Sequence, residues 1–217
     1  MVLASNSPRR RELLALGNWS FRVFVSDVDE SEFPDETPGD YVLRLAEAKA
    51  RVAGKEAGPE QVIVAADTTV VDGGEILGKP EDAAAAVQML KRLRGHRHEV
   101  YTGLAVFKVK DGRLSKDLCV TDVPMRNYND AEIDAYVATQ DPLDKAGAYA
   151  IQHASFHPVV DLRGCFASVM GLPLCHLIRT LERLGVPPDM NIPSNCQTHL
   201  DYQCPVSPAI LSGEQVG

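Results

Sequence analysis

Val62-Ile63-Val64-Ala65-Ala66 is an uninterrupted apolar run that stops at Asp67. A strand with one wet face alternates apolar and polar residues. An unbroken run marks a strand covered on both faces, as when helices pack on either side of a sheet. The rest of the chain supplies the covering helices and further strands. Val2-Leu3-Ala4 reads as a short buried strand. Ser7-Pro8 then announces a helix with Ser as N-cap and Pro in the first turn, ended by Gly17. Residues 21–25 read as a strand and residues 38–53 as a helix. Residues 69–77 read as a hairpin about Gly73-Gly74. A helix over 82–93, long strands over 98–109 and 113–125, and a helix capped by Asn129 follow. Short strands at 149–151 and 159–162 and a helix over 172–184 complete an α/β unit spanning about residues 1–185. Residues 186–217 carry five prolines and two cysteines with little apolar period, and read as an extension, not a second domain.

Composition narrows the function. The 217 residues carry 30 acidic against 22 basic side chains, a formal net charge of −8. That balance argues against a nucleic-acid binder, which draws most of its affinity from a basic surface. No apolar stretch approaches a membrane span, and the first residues lack the order of a signal peptide. A cytoplasmic protein is expected. Cys119, Cys165 and Cys175 lie singly among apolar residues, as small buried side chains do. Cys196, His199 and Cys204 match no common zinc spacing.

Several groups have the chemistry of a phosphate site. Ser5, Ser7, Arg9, Arg10 and Arg11 span a strand end and the first turn of a helix, where free N–H groups and guanidiniums attract anions. Asp67-Thr68 is expected at the carboxyl end of the buried strand, on the side where α/β sheets bind ligands. Lys79, between Gly78 and Pro80, should return to the same crevice after the hairpin. No Walker spacing is present. Asp27, Asp29, Glu30, Glu32, Asp35 and Glu36 are a carboxylate-rich loop of the kind that supplies one oxygen ligand to Mg²⁺ or Mn²⁺ and otherwise stays solvated. Strand alternation puts His96 and His98 on one face, without a third ligand nearby. Lys145 precedes the small residues Ala146-Gly147-Ala148, which let a ligand approach the backbone. Lys145 can meet phosphate and Gln152 can read a base edge.

Eight stretches together resemble the Maf family of nucleotide pyrophosphatases. They are Leu3-Ala-Ser-Asn-Ser-Pro-Arg-Arg10, Asp29-Glu30, Leu45-Ala-Glu-Ala-Lys-Ala50, Ala66-Asp-Thr68, Ile76-Leu-Gly-Lys-Pro80, His98-Glu-Val-Tyr-Thr-Gly103, Lys145-Ala-Gly-Ala-Tyr-Ala-Ile-Gln152 and Val169-Met-Gly-Leu-Pro173. The resemblance implies an α/β fold similar to inosine-triphosphate pyrophosphatases: a mixed, elongated sheet flanked by helices, with two lobes around a deep cleft. It implies hydrolysis of a nucleoside triphosphate to monophosphate and pyrophosphate with a divalent cation, Mg²⁺, Mn²⁺ or Co²⁺. Ala66-Asp67-Thr68 and the 146–152 stretch are similar to the dTTP/UTP branch. His153 and the 164–171 stretch depart from that branch's pattern.

By the same resemblance, Asp67, Glu30, Lys49 and Lys79 are catalytic, with Glu30 and Asp67 as metal ligands. Ser5, Ser7, Arg9, Arg10, Thr68, Lys145 and Gln152 would bind substrate. A homodimer is also suggested. A non-catalytic nucleotide-binding regulator of cell division, or a pyrophosphatase of modified nucleotides, are the competing readings. The first would not need both Glu30 and Asp67.

Overall fold

The computed structural model describes residues 1–188 and 190–217. Among these, the strands form one six-stranded mixed sheet. β1 (Val2–Ala4) lies between β2 (Arg22–Phe24) and β3 (Val62–Asp72), parallel to both. β3 then pairs antiparallel with β5 (Arg97–Lys108), and β5 with β6 (Arg113–Pro124). β4 (Glu75–Leu77) folds back on the far end of β3. Gly73 and Gly74 both have positive φ, as a tight two-residue hairpin turn requires.

The helices begin where their capping residues stand. α1 (Pro8–Ala15) starts at Ser7, whose Oγ accepts the Arg10 N–H. α2 (Pro38–Lys55) starts at Thr37, which accepts the Asp40 N–H. α3 (Ala83–Leu93) is capped by Asp82, and α4 (Asp130–Ala138) by a reciprocal Asn129–Glu132 box. The strands' period of two then divides the molecule. Ile63 and Ala65 face α2 through a thin core of small residues that includes Ala46, Ala50 and Ala53. Val64 and Ala66 face the larger core, with Leu13, Leu90, Leu104 and Leu177.

Three expectations are corrected. β3 does not end at Asp67. It runs on to Asp72, because β-branched Thr68, Thr69, Val70 and Val71 continue the ladder with β5. Residues 149–151 are not a strand. Gly147 and Ala148 adopt left-handed backbone, and the Ala150 N–H is taken by the Tyr136 hydroxyl. In 159–162, Val159 makes a single bridge to Met125 before Asp161 turns left-handed. The helix expected over 172–184 forms, and a short helix that was not expected precedes it: α5 (Phe166–Val169) ends before Gly171, at φ +107°, and α6 (Leu174–Arg183) starts after Pro173.

The C-terminal segment also holds more regular structure than its composition implied: α7 (Ile192–Leu200) and α8 (Ser207–Leu211). Pro193 and Pro208 sit in their first turns, where a missing N–H costs nothing. Buried Ile192 and Ile210 fasten these helices to the body, and Tyr202 donates to the Leu162 and Gly164 carbonyls. Arg179 is paired with Asp117 inside the fold and donates to the Ile210 and Glu214 carbonyls. No helix of the described residues is long and apolar enough to cross a membrane.

The distance between α2 and the sheet is set at Gly103, the register partner of Asp67. A Cβ on Gly103 would stand 2.5 Å from the Val42 carbonyl, which belongs to the helix backbone and cannot swing aside. Gly103→Ala is therefore expected to lower stability by about 1–3 kcal/mol through overpacking. Urea unfolding of the variant checks this. Wild-type stability would show that α2 is not seated on that glycine.

Candidate active site

β1 and β4 pair with the same edge of β3, but not with the same stretch of it. The last β1 pair is Leu3 with Val64, and the first β4 pair is Val70 with Leu77. Between them, among the described residues, that edge has no strand partner. Side chains from both faces of β3 therefore reach one opening: Asp67 from the α2 side and Thr68 from the other. The result is a cleft of about 350 Å³, a size that suits a nucleotide-sized ligand. A smaller chamber of about 190 Å³, walled by Ser5, Ser7 and Val25, adjoins it and shares Arg10, Glu30, Lys49 and Lys79.

One wall comes from the start of α1. Arg10 Nε donates to the Gly171 carbonyl at 2.8 Å, Nη1 to Ser5 Oγ at 3.3 Å and Nη2 to Thr68 Oγ1 at 3.0 Å. Arg9 Nε reaches the Met170 carbonyl at 3.4 Å. These acceptors are all neutral. Burial lowers the Arg10 pKa below its ordinary value, opposed by nearby Asp67, yet a guanidinium stays protonated. A cation that has lost water without gaining a carboxylate is poised for an anionic ligand. Arg11, the next residue, is exposed.

The facing wall comes from α2. Tyr41 and Lys49 are two helical steps of four apart and share a face. Lys49 Nζ sits between Asp67 Oδ1 at 2.5 Å and Glu30 Oε1 at 2.6 Å. Burial alone would raise the Glu30 pKa, but hydrogen bonding and charge from Lys49, with Lys79 and Arg10 adding to it, hold it below the usual value. Tyr41 donates to the Glu30 carbonyl at 2.9 Å and remains neutral, its pKa raised to about 12 by burial and by Asp67 and Glu30. Lys79 stands at the rim with no ion pair among the described residues. Glu30 and Glu32 are the members of the 27–36 carboxylate loop that line the cleft. Glu36 is held by Arg44 and Asp29 by Ser31.

The far end of the cleft is apolar: Val70, Ile76, Val100, Ala146 and the Tyr149 ring. The Tyr149 hydroxyl points away, onto buried His98 Nε2 at 2.8 Å. Two expected substrate contacts stand apart from the others. Lys145 lines the cleft, but its ammonium is enclosed by the Asp141 carbonyl at 2.5 Å, Asp141 Oδ1 at 2.9 Å and Asp144 Oδ1 at 2.6 Å. It is already neutralised. Gln152 is exposed and does not line the cleft, because the chain turns away after the left-handed residues Gly147 and Ala148. His96 and His98 also do not form a pair: His96 binds Asp72 at the surface. His199 pairs with Glu12 on α1, and Cys196 and Cys204 are free thiols.

Sequence reasoning found Ser5, Ser7, Arg9, Arg10, Glu30, Lys49, Asp67, Thr68 and Lys79, and the fold brings these together. It did not single out Tyr41, or the Met170 and Gly171 carbonyls that accept from Arg9 and Arg10 at the cleft. The four-residue multiples linking Tyr41 to Lys49 were the available signal for the first. The carbonyls carry no side-chain signal at all.

Glu30 and Asp67 each turn one oxygen to a common point, occupied by Lys49 Nζ. Two hard carboxylates beside a phosphate-seeking wall fit Mg²⁺ or a similar ion, which takes its remaining ligands from water and substrate phosphates. Among the described residues no group of three or more His, Cys, Asp and Glu side chains forms a complete metal site.

The sequence matches the Maf family, described as Maf-like protein, over residues 1–184. It is 49% identical over 186 residues to a dTTP/UTP pyrophosphatase of Geobacter metallireducens, covering 85% of this chain and 96% of that one. To the dTTP/UTP pyrophosphatase of Clostridium botulinum it is 42% identical over 190 residues, covering 86% and 97%. Among solved structures, the Staphylococcus aureus Ham1 protein covers 58% of this chain and 71% of its own at TM-score 0.40 and 15% identity. That likeness is too loose to bear on fold or function.

His98, behind the Tyr149 wall, gives a pH test. Burial pushes its pKa down from 6.5 to about 4, with Asp72 opposing. Between those values the unfolded chain binds a proton that the folded one refuses. Stability is thus intact above pH 6.5 and falls as pH drops toward 4, by up to about 3 kcal/mol for this group. Urea unfolding from pH 7 to 4 should show that loss in the wild type and a shallower slope in His98→Gln. Equal slopes would mean that His98 is not the titrating group.

Proposed function

The chain belongs to the Maf-like family, and from that premise we propose that it hydrolyses nucleoside triphosphates, dTTP and UTP first among them, to the monophosphate and pyrophosphate. The observation that carries the reading is the pairing pattern of the cleft. Among the described residues Arg9, Arg10 and Lys79 have no carboxylate partner, while the carboxylates Glu30 and Asp67 share Lys49. Unpaired cations face a polyanion, and an oriented carboxylate stands beside them. Relatives named dTTP/UTP pyrophosphatase support the choice of base.

The chemical problem is attack of water on the α-phosphorus while charge moves onto the leaving pyrophosphate. Catalysis of that step is mainly positioning and electrostatics. Arg9, Arg10 and Lys79 hold the phosphate oxygens, and the bound pose brings the α-phosphorus beside Asp67. Lys49 fixes Asp67 through Oδ1, so the other carboxylate oxygen accepts the proton of the attacking water. Glu30 anchors Lys49 from the opposite side. The nucleobase lies in the apolar end, against Val70, Ile76 and Tyr149, whose ring face is kept turned to the cleft by His98. A divalent cation held by Glu30 and Asp67 would neutralise phosphate charge and make its bound water more acidic. A cytoplasmic location belongs to this reading, and the free thiols are compatible with a reducing compartment.

Pyrophosphate release from a panel of canonical and modified nucleoside triphosphates, with Mg²⁺, Mn²⁺ or Co²⁺, tests the activity. dTTP and UTP should lead the panel. Asp67→Asn should lose at least about 100-fold in kcat, as expected when a general base is removed, and melt as the wild type does. Near-normal turnover by that variant would remove Asp67 from the reaction. Nucleotide binding without release of pyrophosphate from any substrate would favour a regulator.

We also propose that residues 1–185 are the catalytic unit and 186–217 an extension. The family match ends at 184, and among the described residues none beyond 185 lines the cleft. Truncation after Gly185 should leave kcat/KM for dTTP within about twofold but lower Tm by several degrees, since Arg179 then loses its Ile210 and Glu214 acceptors. A large fall in kcat/KM with folding intact would place the extension in the active site instead.

A further inference from the structure

Thr102 is fully buried on β5 and does not line the cleft, yet its hydroxyl lies at the root of the Arg10 wall. It is the register partner of Thr68, and the two Oγ1 atoms are 3.0 Å apart. A threonine hydroxyl has one proton to donate. Thr102 commits its proton to the Ser168 carbonyl at 2.9 Å, an acceptor that can donate nothing back. Thr68 must then be the donor of the Thr68–Thr102 bond. That leaves the lone pairs of Thr68 Oγ1 free to accept Arg10 Nη2 at 3.0 Å. The chain of bonds runs one way: Arg10 to Thr68, Thr68 to Thr102, Thr102 to the Ser168 carbonyl.

Ser168 also leads into the segment that holds the arginines by their backs. The Met170 carbonyl accepts Arg9 Nε at 3.4 Å and the Gly171 carbonyl accepts Arg10 Nε at 2.8 Å. Gly171 is packed so tightly there that a Cβ would stand 3.1 Å from Arg10 Nε and 3.3 Å from Thr68 Oγ1. One hydroxyl thus orients the side-chain partner of Arg10 and pins the segment that carries its backbone partner. With Nε, Nη1 and Nη2 each engaged, the guanidinium plane is fixed and its remaining N–H groups are left for a ligand.

We propose that Thr102 is a positioning residue that aims Arg10 at the substrate's phosphates; this rests on the reading of the cleft as a triphosphate site. Thr102→Val keeps the shape and removes the proton. Thr102 acts on catalysis only through Arg10, so the two substitutions must not compound.

The test is a double-mutant cycle of Thr102→Val and Arg10→Ala, with Thr102→Ser as the conservative control. In the wild-type background, Thr102→Val should lower kcat/KM for dTTP by roughly 10- to 100-fold, with a raised KM, as for loss of a hydrogen bond that orients a charged group. Thr102→Ser should stay within about twofold. In the Arg10→Ala background, Thr102→Val should change kcat/KM by less than about twofold. Losses that multiply in the double variant, or a Thr102→Ser as impaired as the valine variant, would overturn the proposal. A readout without substrate accompanies the kinetics. The Arg10 Nε–H resonance, assigned by its absence in Arg10→Ala, should be protected from solvent exchange in the wild type and in Thr102→Ser and unprotected in Thr102→Val. If no triphosphate is turned over but this exchange pattern appears, the enzymatic reading fails and the positioning stands. Undiminished protection in Thr102→Val refutes the positioning whatever the activity. Should Thr102→Val fail to fold, Thr102→Cys, whose thiol is a weak donor, takes its place in the same measurements with the same expected directions.

Discussion

The stretch of β3 left without a neighbour on one edge is the feature on which the rest of the site depends. β1 leaves the ladder at Leu3 and β4 joins it at Val70, so β3 is held at both ends and open between them. Its other edge is paired with β5 throughout, from Val62 to Val71, so the open stretch is still held in the sheet by a continuous ladder. A strand displays successive side chains to opposite faces. Only at an open edge can two such neighbours, Asp67 and Thr68, line the same cavity. The carboxylate and the arginine anchor are therefore one residue apart in sequence and on opposite sides of the sheet.

Each side of the opening then solves a separate electrostatic problem. A chain with net charge −8 repels a polyanion at long range, so attraction has to be local. On the α1 side it comes from arginines whose protein partners are carbonyls and hydroxyls, which orient a guanidinium without cancelling its charge. On the α2 side the carboxylates would repel phosphate if left alone. Lys49, between Glu30 and Asp67, offsets them both and fixes their geometry. That contact depends on how near α2 lies to the sheet. The approach is set by Gly103, paired with Asp67 itself, and by the alanine-rich core beneath the helix.

The remaining buried polar groups are kept apart from this chemistry. Arg179 and Asp117 neutralise one another inside the fold and tie α8 to β6 and α6. Lys145 is spent on Asp141 and Asp144, stiffening the loop that forms the apolar end of the cleft. These two pairs hold the scaffold, whereas Lys49, paired with Glu30 and Asp67, lines the cleft itself.

What the amino-acid sequence determined by itself was everything that short-range physics controls. The apolar run 62–66, the Ser7-Pro8 and Asn129 caps and the Gly73-Gly74 turn each dictate a local conformation, and those elements formed there, the strand running on beyond its apolar run. The motif residues Arg10, Glu30, Lys49, Asp67 and Lys79 were legible for a different reason: their types and order match the family's pattern. What only the tertiary structure decided was pairing. Whether a lysine is free for phosphate depends on how the folded backbone aims the carboxylates around it, even those close in sequence. Lys79 and Lys145 look alike in sequence, but the fold surrounds Lys145 with Asp141 and Asp144 and leaves Lys79 open. The same holds for Asp67. Its strand continues because β5 pairs with it, and its exposure to a ligand comes from where β1 stops, at Ala4, 63 residues earlier in the chain: a long-range fact that no local pattern encodes.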